Sequence, residues 1–106
     1  MMAFTEQSFD EQVLSSEKPV LVDFSATWCP PCKMQKPVLE RFAAEHPEIA
    51  VGVIDADASP AIANRHGVQA LPTLIVFVNG KARASVRGLQ TIDGLSALLA
   101  RALEDR

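Results

Sequence analysis

The feature that most constrains this chain is its single pair of cysteines, Cys29 and Cys32, which are separated by two prolines. An apolar run at residues 20–24 comes shortly before them, and a segment with helical periodicity follows at residues 34–44. The sequence therefore predicts a strand that ends near the first thiol and a helix that begins there. The free N–H groups and positive dipole end of that helix favour thiolate formation at Cys29. Cys32 lies one turn later on the same face, so the pair is suited to forming and opening a disulfide.

Composition and charge limit the classes of function. A chain of 106 residues, 48% apolar and 22% charged, is typical of one folded soluble domain, which we expect to cover residues 1–106. The formal net charge of −3, without a Lys/Arg cluster, disfavours nucleic acid as a partner. Two cysteines in such a chain indicate redox exchange or catalysis rather than a disulfide framework.

The location of the protein is also predicted from its apolar segments. The longest nearly apolar stretch, residues 71–78, is too short to cross a bilayer, so we expect no membrane association. No secretory signal is visible at the N-terminus, and we expect a cytoplasmic protein. A mature form of a secreted protein remains the alternative.

The alternation of apolar segments and turn signals predicts an α/β fold. Strands are predicted at residues 3–5, 20–24, 49–54, 72–78 and 82–86. Helices are predicted near residue 8, at residues 34–44 and 59–67, and from about residue 91. Successive βαβ units produce parallel strands, and Asn79-Gly80 predicts a hairpin that adds an antiparallel pair. We therefore expect a mixed five-stranded sheet, with a short first strand and helices on both faces.

Local patterns predict how the helices begin and which faces they bury. The apolar stripe of the helix after the cysteines consists of Met34, Val38 and Phe42, flanked by Leu39 and Ala43. Pro37 is expected to kink this helix, because proline donates no backbone hydrogen bond. Ser8-Phe9-Asp10-Glu11 has the pattern of a capping box for the first helix, and Ser59 is the expected N-cap of the third.

These residues together resemble the thioredoxin family over nearly the whole chain. The matching pieces are Val22-Asp23-Phe24, Trp28-Cys29-Pro30-Pro31-Cys32-Lys33, Pro37, Asp55, Leu71-Pro72-Thr73, Asn79-Gly80 and Gly88. A C-x-x-C pair alone is a weak signal, but this longer motif followed by an apolar-Pro-Thr triplet is a strong one. The resemblance implies the thioredoxin fold, a central mixed five-stranded sheet flanked by four helices. It also implies a protein-disulfide reductase and electron carrier that works by dithiol–disulfide exchange.

The resemblance also implies separate roles for the two thiols. Cys29 corresponds to the exposed attacking nucleophile, and Cys32 to the more buried thiol that resolves the mixed disulfide. The alternative is a zinc half-site or an inert structural pair. Zinc usually takes four N or S ligands, and the only histidines, His46 and His66, lie at distant helix ends. We therefore expect no metal and no organic cofactor, because the dithiol is itself the redox centre.

Asp23 is a further candidate catalytic residue. It lies amid apolar residues of a predicted central strand, where desolvation raises the proton affinity of a carboxylate. The resemblance implies that it transfers a proton for the resolving thiol; the alternative is an exposed carboxylate near a strand end. In our alignment the family's lysine near this residue falls on Gly52, so a charge partner is missing.

Substrate contacts are implied by the resemblance around Pro72, which matches the family's cis-proline, although sequence alone favours trans. A cis bond leaves the backbone of Ala70 and Leu71 free to pair with an extended substrate segment. An apolar docking collar is expected around Cys29, made of Trp28, Ala70, Leu71, Gly88 and Leu89. Arg87 beside the collar favours acidic segments. The alternative for Trp28 is a core aromatic.

Three residues of the motif are candidates for tuning the active site. Pro30 departs from the family's commoner glycine, and Pro30 and Pro31 together remove two N–H groups and stiffen the loop. Lys33 either favours the thiolate or is a solvated lysine on the helix face.

The implied partners are protein disulfide substrates and an NADPH-dependent thioredoxin reductase, and a monomer is expected. Two other functions remain open. One is an oxidase or isomerase of an oxidising compartment, and the other is a non-catalytic binding subunit that uses the collar as a clamp.

Overall fold

The computed structural model describes residues 1–104, and its elements follow the predicted order. The strands are β1 (Met2–Phe4), β2 (Val20–Ser25), β3 (Ala50–Asp55), β4 (Thr73–Val78) and β5 (Lys81–Arg87). The helices are a short π-helix (Asp10–Leu14), α1 (Pro30–Glu45), α2 (Pro60–Arg65) and α3 (Ile92–Glu104). The predicted α/β fold with a short first strand is thus confirmed. The last two residues of the predicted 1–106 domain lie outside the described part. None of the helices in residues 1–104 has the length and apolar character needed to span a membrane.

The five strands form one mixed sheet in the order β1-β3-β2-β4-β5. Strands β1, β3 and β2 are parallel, whereas β4 is antiparallel to both β2 and β5. Strand β2 therefore lies at the centre, and its first five residues are all buried. This placement explains its nearly continuous apolar sequence, because a central strand is covered on both faces. Its carboxyl end leads directly to the cysteine pair.

Each face of the sheet carries its own hydrophobic cluster. On one face, side chains of α1 and α3 such as Leu39, Phe42 and Leu98 pack on β2 and β4. On the other face, Phe9 from the segment before the π-helix and Ile62 of α2 pack in the same way. Burial of each such side chain contributes about 1.5–3 kcal/mol, so both faces hold β2 in place.

The β4–β5 hairpin turns at Asn79-Gly80, as predicted. Asn79 and Gly80 have φ values of +53° and +78°. Two successive left-handed residues are what a tight hairpin turn requires. Gly80 is also needed sterically, because a Cβ there would lie 2.6 Å from the carbonyl oxygen of Leu14.

The buried face of α1 differs from the predicted stripe. Its buried residues are Cys32, Gln35, Leu39 and Phe42, whereas Met34 is 61% exposed. Phe42 was assigned correctly, but the prediction for Met34 is wrong and Val38 is only half-buried. The inward face follows from where α1 begins. Once Cys32 faces the sheet, the positions three and seven residues later face it too.

The helix starts also differ from the predicted caps. Ser8 Oγ accepts a hydrogen bond from the Thr5 N–H at 3.0 Å, and Thr5 Oγ1 accepts one from the Ser8 N–H at 3.1 Å. This reciprocal pair is a capping box that begins three residues earlier than predicted. Ser59 precedes α2 but makes no side-chain cap. The Ala61 N–H in the first turn of α2 instead donates to Glu6 Oε1 at 3.2 Å.

Candidate active site around the cysteine pair

Cys29 is the N-cap residue of α1, with an extended backbone that leads the chain from the end of β2 into the helix. It forms a disulfide with Cys32, with the two Cα atoms 5.2 Å apart. The Cys29 sulfur also accepts a hydrogen bond from the Cys32 N–H at 3.4 Å. The same N–H would stabilise a thiolate on Cys29 when the pair is reduced.

The two prolines occupy the first positions of α1. Neither has an N–H, and both fix φ near the helical value, so they fit the one place in a helix where no N–H partner is needed. Cys32 is therefore the first residue of α1 able to donate to Cys29. This arrangement limits the donors around the Cys29 sulfur.

Both cysteines are buried in the disulfide form, each with 3% of its surface exposed. The expectation that Cys29 is exposed and Cys32 more buried is therefore not met in this state. The reason lies in the packing, because the two cysteines form a buried cluster with Ala26, against which Leu71 packs. Trp28, immediately before Cys29, is 65% exposed and is the prominent apolar feature beside the pair.

Asp23 lies in the middle of β2 and is 1% exposed. Burial raises the pKa of its carboxyl group from 3.8 to about 7. Its Oδ1 accepts no hydrogen bond from any residue in the described part of the chain. An open cavity of about 520 Å³ is lined by both Asp23 and Cys32, with Lys33 and Lys36 also on its wall. The buried carboxyl group and the second cysteine thus share one space.

The register of the sheet corrects the assignment of Gly52. Asp23 pairs with Val53 on β3, whereas Gly52 pairs with Val22 and with Met2. Successive residues of a strand point to opposite faces, so a side chain at position 52 would point away from Asp23. A Cβ on Gly52 would lie only 2.5 Å from the ring of Phe4. Gly52 is therefore explained by the close approach of Phe4 and not by the loss of a charge partner for Asp23.

The predicted substrate-binding residues lie in two loops that meet near the disulfide. The Leu71–Pro72 peptide bond is cis, and the Pro72 carbonyl accepts a hydrogen bond from the Gly88 N–H at 2.8 Å. Leu71 packs against the cluster formed by Ala26 and the two cysteines. Ala70 and Leu89 are exposed, and the Ala70 carbonyl accepts a hydrogen bond from the Thr73 hydroxyl at 2.5 Å.

Sequence reasoning missed Asp57, which fixes the exposed tryptophan. The Trp28 Nε1–H donates to Asp57 Oδ2 at 2.6 Å. Asp57 is held in turn by its own N–H, which donates to Asp55 Oδ1 at 2.9 Å. The available signal was the Asp55-Ala56-Asp57 sequence at the end of β3. From the sequence alone this segment is interpreted as an ordinary turn, because only the fold places Asp57 beside Trp28.

Sequence reasoning also missed Gln35, a polar residue on the buried face of α1 that is fully covered. Its amide makes two hydrogen bonds to the backbone of Gln90, 55 residues away.

Within residues 1–104, no three His, Cys, Asp or Glu side chains are grouped so that they could hold a metal ion.

Known proteins are similar to this chain over nearly its whole length. A family model described as Thioredoxin matches residues 1–101. A thioredoxin of Mycolicibacterium smegmatis is 48% identical over 101 residues, covering 92% of this chain and 88% of the relative. A thioredoxin of Alicyclobacillus acidocaldarius is 39% identical over 97% of this chain and 98% of its own length. A Mycobacterium leprae protein named bifunctional thioredoxin reductase/thioredoxin is 46% identical over 90% of this chain, which corresponds to 20% of that larger protein.

Proposed function

Because this chain belongs to the thioredoxin family of protein-disulfide oxidoreductases, which work by dithiol–disulfide exchange, we propose that it reduces protein disulfides with Cys29 as nucleophile and Cys32 as resolving thiol. The observation that carries the assignment of roles is the position of Cys29. It caps α1, and its sulfur accepts the Cys32 N–H. A thiolate is stabilised there, whereas Cys32 lies inside the first turn.

The proposed reaction has two exchange steps. The Cys29 thiolate attacks one sulfur of a substrate disulfide, forming a mixed disulfide and releasing the other substrate sulfur as a thiolate that takes a proton. Cys32 then loses its proton and attacks the Cys29 sulfur. The second substrate thiol leaves, and the Cys29–Cys32 disulfide remains. Two electrons pass from the protein to the substrate.

Asp23 is the proposed acceptor of the Cys32 proton. Its raised pKa of about 7 means that it can both accept and release a proton near neutral pH. The cavity that it shares with Cys32 supports this role, because it provides a route for a proton between two groups that are otherwise buried. The unpaired Oδ1 is consistent with an atom kept available for transfer.

The docking collar is the proposed site for the substrate chain. Leu71 packs on the disulfide and Gly88 is hydrogen-bonded to Pro72, so an extended segment laid beside residues 70–72 would bring its own sulfur to Cys29. Trp28, Ala70 and Leu89 are the exposed residues of this surface. We further propose that Pro30, Pro31 and Lys33 tune the thiolate, since they determine which donors and charges lie around the Cys29 sulfur.

The proposed physiological setting is a cytoplasmic monomer, folded as one domain over residues 1–106, that needs no bound cofactor. Its electron donor is proposed to be an NADPH-dependent thioredoxin reductase. The name of the M. leprae relative, which joins a thioredoxin reductase with a thioredoxin, supports this pairing.

The test uses the single variants Cys29→Ser and Cys32→Ser with insulin as the protein disulfide. The wild-type protein, supplied with NADPH and a thioredoxin reductase, should reduce insulin. Cys29→Ser should be inactive, and Cys32→Ser should accumulate a covalent mixed disulfide with insulin that dithiothreitol releases. A third variant carries both substitutions, Cys29→Ser and Cys32→Ser. If this variant keeps the biological activity, the protein acts as a binding subunit instead. Failure of the wild-type protein to accept electrons from the reductase would favour an oxidase or isomerase.

A further inference from the structure

Gln35 is an unusual occupant of the sheet-facing side of α1, because its neighbours on that face are apolar and it has no exposed surface. Its Oε1 accepts the Gln90 N–H at 2.6 Å, and its Nε2 donates to the Gln90 carbonyl at 3.0 Å. These two bonds fix which end of the amide is which. Together they bind both the backbone N–H and the backbone carbonyl of Gln90. Gln35 therefore fixes the orientation of the Gln90 backbone as well as its position.

The segment held by Gln35 connects β5 to α3 and contains two of the docking-collar residues. Gln90 extends the network, because its side-chain Nε2 donates to the Gly88 carbonyl at 3.1 Å. The Gly88 N–H in turn donates to the Pro72 carbonyl at 2.8 Å. A continuous set of hydrogen bonds thus runs from α1, three residues after Cys32, to the loop beside the disulfide. Leu89, which is 43% exposed, lies between the two anchored residues.

The side of Gly88 that a Cβ would face is open space. Gly88 has a φ of +90°, and a Cβ built on it would meet no atom of residues 1–104 within 4 Å, its two chain neighbours aside. Gly88 therefore has space to move and a backbone with many accessible conformations. The hydrogen bonds at its N–H and its carbonyl are the contacts that hold it, and the second depends on the placement of Gln90.

An apolar residue of similar shape would fill the position of Gln35 without the cost of burying an amide. A buried polar side chain is tolerated only when its hydrogen bonds are made, and its net gain in stability is modest. What the amide adds over a methionine is a fixed geometry for the backbone that it binds.

We infer that Gln35 is a positioning residue for recognition of protein substrates. It holds Gly88 and Leu89 in a fixed place relative to Pro72 and the cysteine pair, so that an extended chain on either side of the target disulfide meets a preformed surface. Gln35 takes no part in the exchange of electrons. This inference rests on the proposed function, in which the docking collar binds the substrate chain.

The first test compares two disulfides in the variant Gln35→Met. Insulin presents its disulfides between flanking polypeptide segments that the proposed collar can bind, whereas 5,5′-dithiobis(2-nitrobenzoate) presents its sulfurs without a flanking polypeptide. For insulin, kcat/KM should fall about tenfold, mainly through a higher KM, because the interaction lost is one of binding. The rate constant for the small disulfide should stay within about twofold of the wild-type value. The same substitution at exposed Gln7 is the matched control and should change neither rate.

A structural readout accompanies the kinetics. Amide hydrogen exchange at Gln90 should become faster in Gln35→Met, since its N–H loses its acceptor. If Gln35→Met does not fold, Gln90→Met replaces it. That variant keeps the backbone bonds to Gln35 and removes the side-chain bonds to the Gly88 carbonyl at 3.1 Å and the Arg87 carbonyl at 3.5 Å. It should also slow the reduction of insulin selectively, by a smaller factor.

The outcomes separate this inference from the proposed function. Equal losses for both disulfides, or no loss for insulin despite faster exchange at Gln90, would overturn the role of Gln35. The variant Leu89→Asp tests the collar itself. If it slows insulin reduction while Gln35→Met does not, the collar stands and the positioning role fails. If Leu89→Asp has no effect on insulin, collar docking fails, and the role of Gln35 fails with it.

Discussion

Asp23 is a residue at which the proposed chemistry and the stability of the fold oppose each other. Its pKa is about 7 in the folded protein and near 3.8 when exposed, so between these values the folded state binds more protons than the unfolded state. Stability therefore falls as the pH rises from about 4 to above 7. The full rise in pKa corresponds to about 4 kcal/mol as an upper limit.

We predict that Asp23→Asn raises the free energy of unfolding of the oxidised protein at pH 8 by up to about 4 kcal/mol, with far less gain at pH 4. The reason is that the carboxyl group is already protonated at low pH and costs little there. Urea unfolding at the two pH values measures the difference. Asp10→Asn, at an exposed position, is the control and should show no comparable dependence. A gain of the same size at both pH values would contradict a buried, ionising Asp23.

Trp28 yields a second prediction at this scale, because it is the only tryptophan and reports on its own environment. Asp57→Ala should free the indole, whose N–H is held at 2.6 Å, whereas Asp57→Asn keeps an oxygen acceptor and should retain part of the restraint. Fluorescence anisotropy decay should show faster local motion of Trp28 in Asp57→Ala than in Asp57→Asn. Identical decays in both variants and the wild type would show that the hydrogen bond does not hold the ring.

The site residues that could be predicted are those whose own sequence neighbours reveal them. Two cysteines before a helical segment, and a carboxylate inside an apolar run, are local signals. Asp57 and Gln35 could not be found this way, because each acts on a partner 29 or 55 residues distant. From the sequence alone, a glutamine in a helix is expected at the surface. Its burial becomes understandable only when its hydrogen-bond partner is known.

At the level of secondary structure, α1 shows that apolar periodicity alone does not set the buried face of a helix. Leu39 is fully buried and Met34 is 61% exposed, although both belong to the apolar pattern. We predict that Leu39→Ala lowers the free energy of unfolding by about 2–5 kcal/mol through cavity formation. Met34→Ala should change it by less than about 0.5 kcal/mol, since the side chain is solvated. Chemical unfolding of the two variants at one pH is the measurement. Similar losses for both would place Met34 in the core.

The turn at Asn79-Gly80 was predicted well, because it is fixed by the backbone of its own residues. The helical pattern of α1 was predicted only from residue 34, whereas the helix begins at Pro30. The caps were predicted less well. A serine before a helix is a good candidate on local grounds, but the first turn of α2 is satisfied by Glu6, from a distant part of the chain. Such a cap depends on the packing of the first segment against α2, which no local motif encodes.

At the scale of the whole molecule, the buried carboxyl group of Asp23 and the half-buried imidazole of His66 lie on opposite faces of the sheet. Asp23 shares the face of its partner Val53, whereas His66 packs against the rings of Phe24 and Phe77 in the other cluster. Burial, and then the charge of Arg65, lower the pKa of His66 below its usual 6.5. The folded state therefore resists protonation of His66, and this group removes stability as the pH falls below 6.5.

Asp23 and His66 thus impose opposite pH dependences on one cooperative unit. In the wild-type protein the two partly cancel in the weakly acid range, because one removes stability as the pH rises and the other as it falls. We predict that single substitutions separate them. In Asp23→Asn, stability should rise with pH up to about 6.5, because the His66 contribution remains. In His66→Phe, which keeps an aromatic ring against Phe24 and Phe77, stability should fall from pH 4 to pH 8, because the Asp23 contribution remains. Urea unfolding of both variants between pH 4 and pH 8 gives the two slopes. Slopes of the same sign would mean that one of these side chains does not titrate inside the fold. Slopes of opposite sign would show that a titrating side chain on each face of the sheet lowers the free energy of unfolding, each in its own pH range.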